Sequence, residues 1–384
     1  MFWGQDVWGT LPWGLVEPEF HYSALPPAPT LDQVLRGSST RLARLTLTRD
    51  GVDVMVLPAE SWSVAVSRSG DQRRQLTVDM PAVPELVPAG VGSLLHPAAR
   101  CEIRAEMGVS DPRFGEHWGT VGLFPVTQTS VSVAPGGARV SLSCEDRAVL
   151  IRAAAPLEPM VWDAGPIEDV LADALEHLSP WLTARLYRTG LTLPAAVGGI
   201  PGCDWWQLCR RDIAEAAGAE LFINAAGEAE LRRVQDISVE SPVWTWQLAD
   251  ADVVSKLDRS IDGRVMPDGV IVPWGKGKIA VYQPPATTHT PGPVRRWWRH
   301  QGDPSLIESE AHALWVGSRE WLKLGRGVEK VTFEVPADYR VEAGDAALLS
   351  AITYGVRQIS AIESFTLTAG AATMQVTFAE WQSR

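Results

Sequence analysis

Between Thr120 and Ala155 the chain reads TVGLFPVTQTSVSVAPGGARVSLSCEDRAVLIRAAA, and the period of its apolar residues constrains the fold more than any other feature. Val121 and Leu123, then Val131 and Val133, then Val140, Leu142 and Cys144 alternate with small or polar residues, which assigns each set to one face of a strand. Pro135-Gly136-Gly137 reverses the chain between the second and third sets. The expected product is a β-meander that leaves through Glu145-Asp146-Arg147 into an amphipathic helix. It carries no catalytic signature, so its predicted role is scaffold.

The same period extends in both directions. Leu45 and Leu47 alternate, Asp50-Gly51 supplies a two-residue hairpin turn, and Val52, Val54 and Val56 return, which would set Leu47 opposite Val54. Further strands are read at Trp62-Val64-Val66, Leu76-Val78-Met80 and Cys101-Ile103-Ala105-Met107. After Pro156 and Pro159 the period changes to that of a helix. Pro166 opens it, and Ile167, Val170, Leu171, Ala174, Leu175 and Leu178 mark its buried face. A second helix starts at Asp204 with Gln207 as its capping partner, and a hairpin from Ala219 to Val234 follows. Strands return at 270–272 and 279–282 around Gly275-Lys276-Gly277-Lys278. A helix capped by Ser305 and Glu308 comes next, and alternating strands run from Val331 to Phe378.

A chain of 384 residues exceeds what one core usually supports. The changes of period divide it into residues 1–40, a Trp/Gly/Pro-rich arm; 41–155, a first β-barrel; 156–240, a small α/β domain; 241–330, a strand-rich segment with a helix; and 331–384, the C-terminal strands of a second barrel. The predicted class is mainly β with an α/β insertion: two antiparallel β-barrel tube-type domains, a small α/β domain and an extended N-terminal arm.

Charge narrows the function classes. With 34 basic and 46 acidic residues the net charge is −12, and a sequence-specific DNA binder would need a basic face to neutralise phosphates. An acidic wall repels phosphate instead, so a channel along which DNA slides without sticking is compatible with this composition. No apolar run reaches the roughly 20 residues of a membrane span, so membrane insertion is not expected. No basic, apolar leader precedes Arg36, which predicts no secretory signal.

Chemistry-bearing motifs are few. The seven histidines are scattered without metal-ligand spacing, the four cysteines form no CxxC, and no nucleophile elbow or phosphate loop is present. Asp250 and Asp252 lack the glycine and later glutamate of a calcium loop. No catalytic residue, cofactor or metal site is therefore predicted. Two clusters could contact partners. Trp3, Trp8 and Trp13 each precede a glycine at a period of five, a repeat that cannot build its own core; it is either a strap across a neighbouring subunit or a segment folded onto its own chain. Arg295, Arg296, Trp297 and Trp298 form the basic and aromatic cluster of an acidic chain, read as a partner contact or as packing against the next domain.

From about residue 40 onward the chain resembles the tail-hub family (baseplate hub or minor tail proteins) of tailed phages, particularly those infecting actinobacteria. The residues that carry the resemblance are Gly122-Leu123-Phe124, Cys144-Glu145-Asp146-Arg147, Asp169-Val170-Leu171 and the capped Trp205-Trp206 helix. In the C-terminal part they are Val331-Thr332-Phe333-Glu334-Val335 and the Glu342-Ala343-Gly344-Asp345 turn. The resemblance implies a homotrimeric ring at the tail tip of the virion, assembled in the host cytoplasm. It also implies a distal tail protein above, tip or fibre proteins below, the tape-measure C-terminus inside, and DNA passing through unbound. Two other classes remain as alternatives: a carbohydrate-binding receptor module that uses exposed tryptophans, and a tail-associated cell-wall hydrolase.

Overall fold

The computed structural model describes Leu35 and residues 39–379, apart from short internal stretches, the longest being 234–241, 248–255, 262–266 and 286–295. Eight strands come first: β1 (Thr40–Arg49), β2 (Val52–Val56), β3 (Ser61–Ser67), β4 (Arg74–Pro81), β5 (Cys101–Asp111), β6 (Gly115–Pro125), β7 (Gln128–Ala134) and β8 (Gly137–Glu145). Strands β2, β1, β5 and β6 form a four-stranded sheet in that order, while β3, β4, β8 and β7 enter a larger one. Three strands form over residues 120–145 as β6, β7 and β8, but not as one meander: β7 pairs with β8, whereas β6 pairs with β5 in the other sheet. Val140, Leu142 and Cys144 turn inward, but Val131 and Val133 are exposed, because β7 is a sheet edge and only β8 carries apolar residues to the core.

The first hairpin departs from its expected register. Asp50 and Gly51 both take positive φ, 51° and 78°, as a two-residue turn of this kind requires. Yet Leu47 pairs with Met55 and not with Val54, because the ladder slips between Leu47 and Thr48. This bulge inserts one residue into β2, and Val52, Val54 and Val56 face solvent while Leu45 and Leu47 are buried.

The insertion follows. It comprises α1 (Ala148–Arg152), β9 (Met160–Trp162), β10 (Gly165–Pro166), α2 (Ile167–Leu178), β11 (Ala184–Leu186), β12 (Thr192–Leu193), β13 (Val197–Gly199), α3 (Trp205–Gln207), a π-helical continuation over Leu208–Glu215, β14 (Ala219–Ile223) and β15 (Ala229–Arg233). All six apolar residues read onto one face of α2 are buried. Asp204 caps α3 by accepting the Gln207 N–H at 3.0 Å. A separate core forms here around Trp205 and Trp206, with the Trp205 ring edge-on to Trp162 at 6.3 Å.

The remaining elements are β16 (Trp244–Gln247), β17 (Lys256–Ile261), β18 (Gly269–Trp274), β19 (Lys278–Tyr282), β20 (Trp297–Arg299), α4 (Glu310–Gly325), β21 (Glu329–Pro336), β22 (Ala346–Ala351), β23 (Val356–Thr368) and β24 (Thr373–Ala379). The expected hairpin at 270–282 is β18–β19, and α4 packs on its sheet through Trp321. Helix α4 begins later than expected. The Ser305–Glu308 pair lies outside the described residues, and Ser309 supplies the cap, its Oγ accepting the His312 N–H at 3.1 Å.

Strand β23 decides the architecture. Its first half pairs with β22, Ile362–Thr366 pair with β24, and Ser364–Thr368 pair with β3. A single ten-stranded sheet therefore runs β17-β21-β24-β23-β3-β4-β8-β7, with β22 and β16 branching from β23. The mainly β class with an α/β insertion is what the structure shows. The strands do not close into barrels among the described residues, because β3 takes β23 as its second neighbour. One core joins both ends of the chain, with Leu47, Val64 and Ile103 in the same cluster as Phe333, Val376 and Phe378.

Candidate functional site, a buried charge junction

A cluster of charged side chains lies where the α/β insertion meets the β-sheets. Arg73 and Arg74 stand at the entrance to β4, Glu220 on β14, Arg232 on β15, and Glu342 and Asp345 in the turn before β22; all six are buried. Glu220 sits at the centre. Its Oε1 accepts Arg73 Nη1 at 2.7 Å, Arg68 Nε approaches both oxygens at 3.3 Å, and Arg232 reaches Oε2 at 3.4 Å. Glu342 Oε1 accepts Arg73 Nε at 3.0 Å, and its Oε2 accepts Arg74 Nη2. Arg74 also donates to the carbonyls of Ile223 at 2.8 Å and Val121 at 3.2 Å, and so ties β14 to β6.

Removing this many ions from water is costly unless each is paired and hydrogen-bonded, and the geometry meets that condition. Burial would raise the Glu220 carboxyl, but Arg68, Arg232 and Arg73 overcome it and hold the group well below the usual carboxylate range. Glu342 behaves alike, with Arg74 and Arg73 outweighing its burial. The balance goes the other way at Asp345 and at Asp146, where burial prevails and the carboxyls are pushed up. Asp146 nonetheless accepts the backbone N–H groups of Arg73 at 2.9 Å, Arg74 at 2.8 Å and Ala148 at 3.0 Å, which fixes the corner between β4, β8 and α1.

The segments Gly122–Phe124 and Cys144–Arg147 meet the insertion next to this junction. Arg147 forms a two-point pair with Glu102, at 2.7 and 2.6 Å, and donates to the Gly227 carbonyl at 3.2 Å, so the tip of the β14–β15 hairpin is held against β5. A Cβ on Gly227 would press into Leu123.

Gly344 is required twice over. Its φ of +90° suits only glycine, and a Cβ there would occupy the position of Arg232 Nη2, which donates to the Ala343 carbonyl at 2.7 Å. A Gly344→Ala protein is expected to lose about 3 kcal/mol, the sum of left-handed strain and a displaced buried guanidinium. Urea unfolding measures it, and a midpoint unchanged from wild type would contradict the placement of Arg232.

None of these charges was singled out in the sequence as a site. The available signals were Arg73-Arg74 back to back at a strand entrance, and Glu220, Glu230 and Arg232 on strands whose neighbours are buried. Of the predicted contacts, Trp3, Trp8, Trp13 and Arg295 lie outside the described residues, as do Asp250 and Asp252. Arg296 donates its backbone N–H to Asp268 at 2.6 Å, and Trp297 and Trp298 lie in β20, which pairs in parallel with β18. Both indoles are exposed. As neighbours on a strand they project to opposite faces, and so do not make one stacking platform.

The thiols are poor nucleophiles, since burial pushes Cys144 up to about 11 and Cys209 up to about 12. Among the described residues no group of His, Cys, Asp and Glu is placed to hold a metal ion.

No family model and no curated protein matches the sequence. Solved structures do. The chain is similar to a tail protein from Neisseria meningitidis MC58, at 14% identity over 88% of this chain and 96% of that one, with a TM-score of 0.61. It is similar to the 43 kDa tail protein of prophage MuSo2 from Shewanella oneidensis, at 10% identity over 88% and 98% of the two chains, again with a TM-score of 0.61. A chain of the Francisella PdpA–VgrG complex matches at 8% identity over 90% of this chain and 54% of that one, with a TM-score of 0.53. The fold is thus the one found in phage tail proteins.

Proposed function

We propose that the protein is a structural component of a phage tail tip, a hub whose copies form a ring that joins the tail tube to tip or fibre proteins and surrounds the DNA exit. The observation that carries this reading is the end-to-end likeness to two tail proteins, each covered over nearly its whole length. The use of the buried charges agrees with it: they bind one another across the insertion and the sheets, which suits a load-transmitting part. The acidic surplus suits a wall past which DNA slides. In this reading three copies form the ring. A distal tail protein sits above it, tip or fibre proteins below, and the end of the tape-measure protein occupies the lumen until ejection.

Electron microscopy of the purified protein at high concentration tests the proposal. Threefold rings with an opening wide enough for a duplex are the expected result. Monomers at every concentration, also in the presence of tail tubes, would overturn the ring.

A further inference from the structure

Strands β19, β18 and β20 form a small sheet with a core of its own, Val270, Val272, Ala280, Ile307, Ala313 and Trp321, and α4 covers one face of it. The register defines what lies on the other. Ile271 pairs with Val281 and Arg299, Pro273 with Ile279, and Gly269 with Trp297, so these side chains share the face turned away from Val270, Val272 and Ala280. The Trp297 ring lies over Gly269, where a Cβ would meet it at 2.6 Å. This face is open to solvent: Ile279 is 63%, Val281 45% and Trp297 39% exposed.

The charge is as one-sided as the packing. No acidic residue occurs between Asp268 and Asp303, whereas Lys276, Lys278, Arg295, Arg296 and Arg299 all fall there, in a chain whose net charge is −12. Arg299 is exposed on the open face, and Lys278 stands at the hairpin tip with its ammonium 4.4 Å from the centre of the Trp274 ring. A symmetric contact with a second copy would set these cations against one another. Single-stranded nucleic acid stacks on a row of rings, and the register puts Trp297 alone on this face. A protein partner makes about one hydrogen bond per 100–200 Å² of interface. Apart from the indole N–H and the Arg299 guanidinium, the side chains here carry no hydrogen-bonding group. Acyl chains require none, and phosphate headgroups require cations.

We infer that this sheet face rests on an anionic lipid surface. Ile279, Val281 and Trp297 enter the boundary between headgroups and acyl chains, and Lys278 and Arg299 meet the headgroup phosphates around them. The contact is shallow, since β18, β19 and β20 have 6, 5 and 3 residues and a strand that crosses a bilayer needs roughly 9–11. The inference stands on this sheet alone and does not depend on the tail reading.

Flotation of the whole protein with vesicles of phosphatidylcholine and phosphatidylglycerol mixed three to one, and with vesicles of phosphatidylcholine alone, tests it. Partitioning onto the mixed vesicles is expected to be at least about tenfold stronger at low salt, and the difference should shrink as salt is added. Lys278→Gln and Arg299→Gln should each weaken it about fivefold, and Ile279→Glu should abolish it. Ile279 lies outside the core, and Val56→Glu, a change at a comparably exposed residue of β2, should float like wild type. No binding to the mixed vesicles, equal binding to both kinds, or binding that survives Ile279→Glu would overturn the inference. Retention on polyglutamate or oligothymidylate that is lost in Arg299→Gln, without vesicle binding, would assign the face to an acidic macromolecule and overturn it equally.

Discussion

Glu220→Gln should be among the most destabilising single changes in this protein, by about 3–5 kcal/mol. Glutamine fills the same space but leaves Arg68, Arg73 and Arg232 buried without the carboxylate on which all three converge. The effect should depend on pH in a defined direction. Because the folded protein holds Glu220 below its ordinary value, its contribution is complete above the unfolded carboxylate pKa of about 4.3 and is lost as pH falls through the lowered, folded value. The gap between wild type and Glu220→Gln should therefore be full at neutral pH and shrink in acid. Chemical denaturation at several pH values measures it, and a gap constant down to the acid limit would mean that Glu220 is not ionised in the junction.

Phe333→Ala should cost a similar amount, about 3–5 kcal/mol, for a different reason. The ring packs edge-on to Phe378 at 4.8 Å and to Trp246 at 5.5 Å in the core shared by both ends of the chain. Its removal opens a cavity that β-strands on both sides cannot collapse into. Since β23 pairs with β3 as well as β24, the loss should spread to the first half of the chain. Hydrogen exchange in β3 and β4 is the measurement. Faster exchange there is expected, and acceleration confined to β21–β24 would show that the two halves unfold independently.

How far the sequence disclosed this arrangement depends on the distance over which each feature is encoded. Strands such as Trp62-Val64-Val66 and Met374-Val376-Phe378 were legible, because a period of two is set by neighbours along the chain. The α2 face was legible for the same reason. The β1–β2 register was missed by one residue, because a bulge leaves no mark on a run of alternating valines that face solvent. The start of α4 was misplaced because a serine at 309 caps as well as one at 305. The expected closure into two barrels was wrong and the charge junction was not read, since both depend on partners far apart in sequence. Arg73 meets Glu342 across 269 residues, and nothing near either one indicates the other.

The pairing of β3 with β23 also bears on how the protein comes into being. Val66 leaves the ribosome about 300 residues ahead of Phe365, its partner in the sheet. At ordinary rates of synthesis that is a wait of roughly 15–60 s. Throughout it, Ser-Trp-Ser-Val-Ala-Val-Ser presents an uncharged, unpaired edge to the cell. An open edge of this kind is what chaperones bind and what seeds aggregation, and here it stays open until β23 has been made.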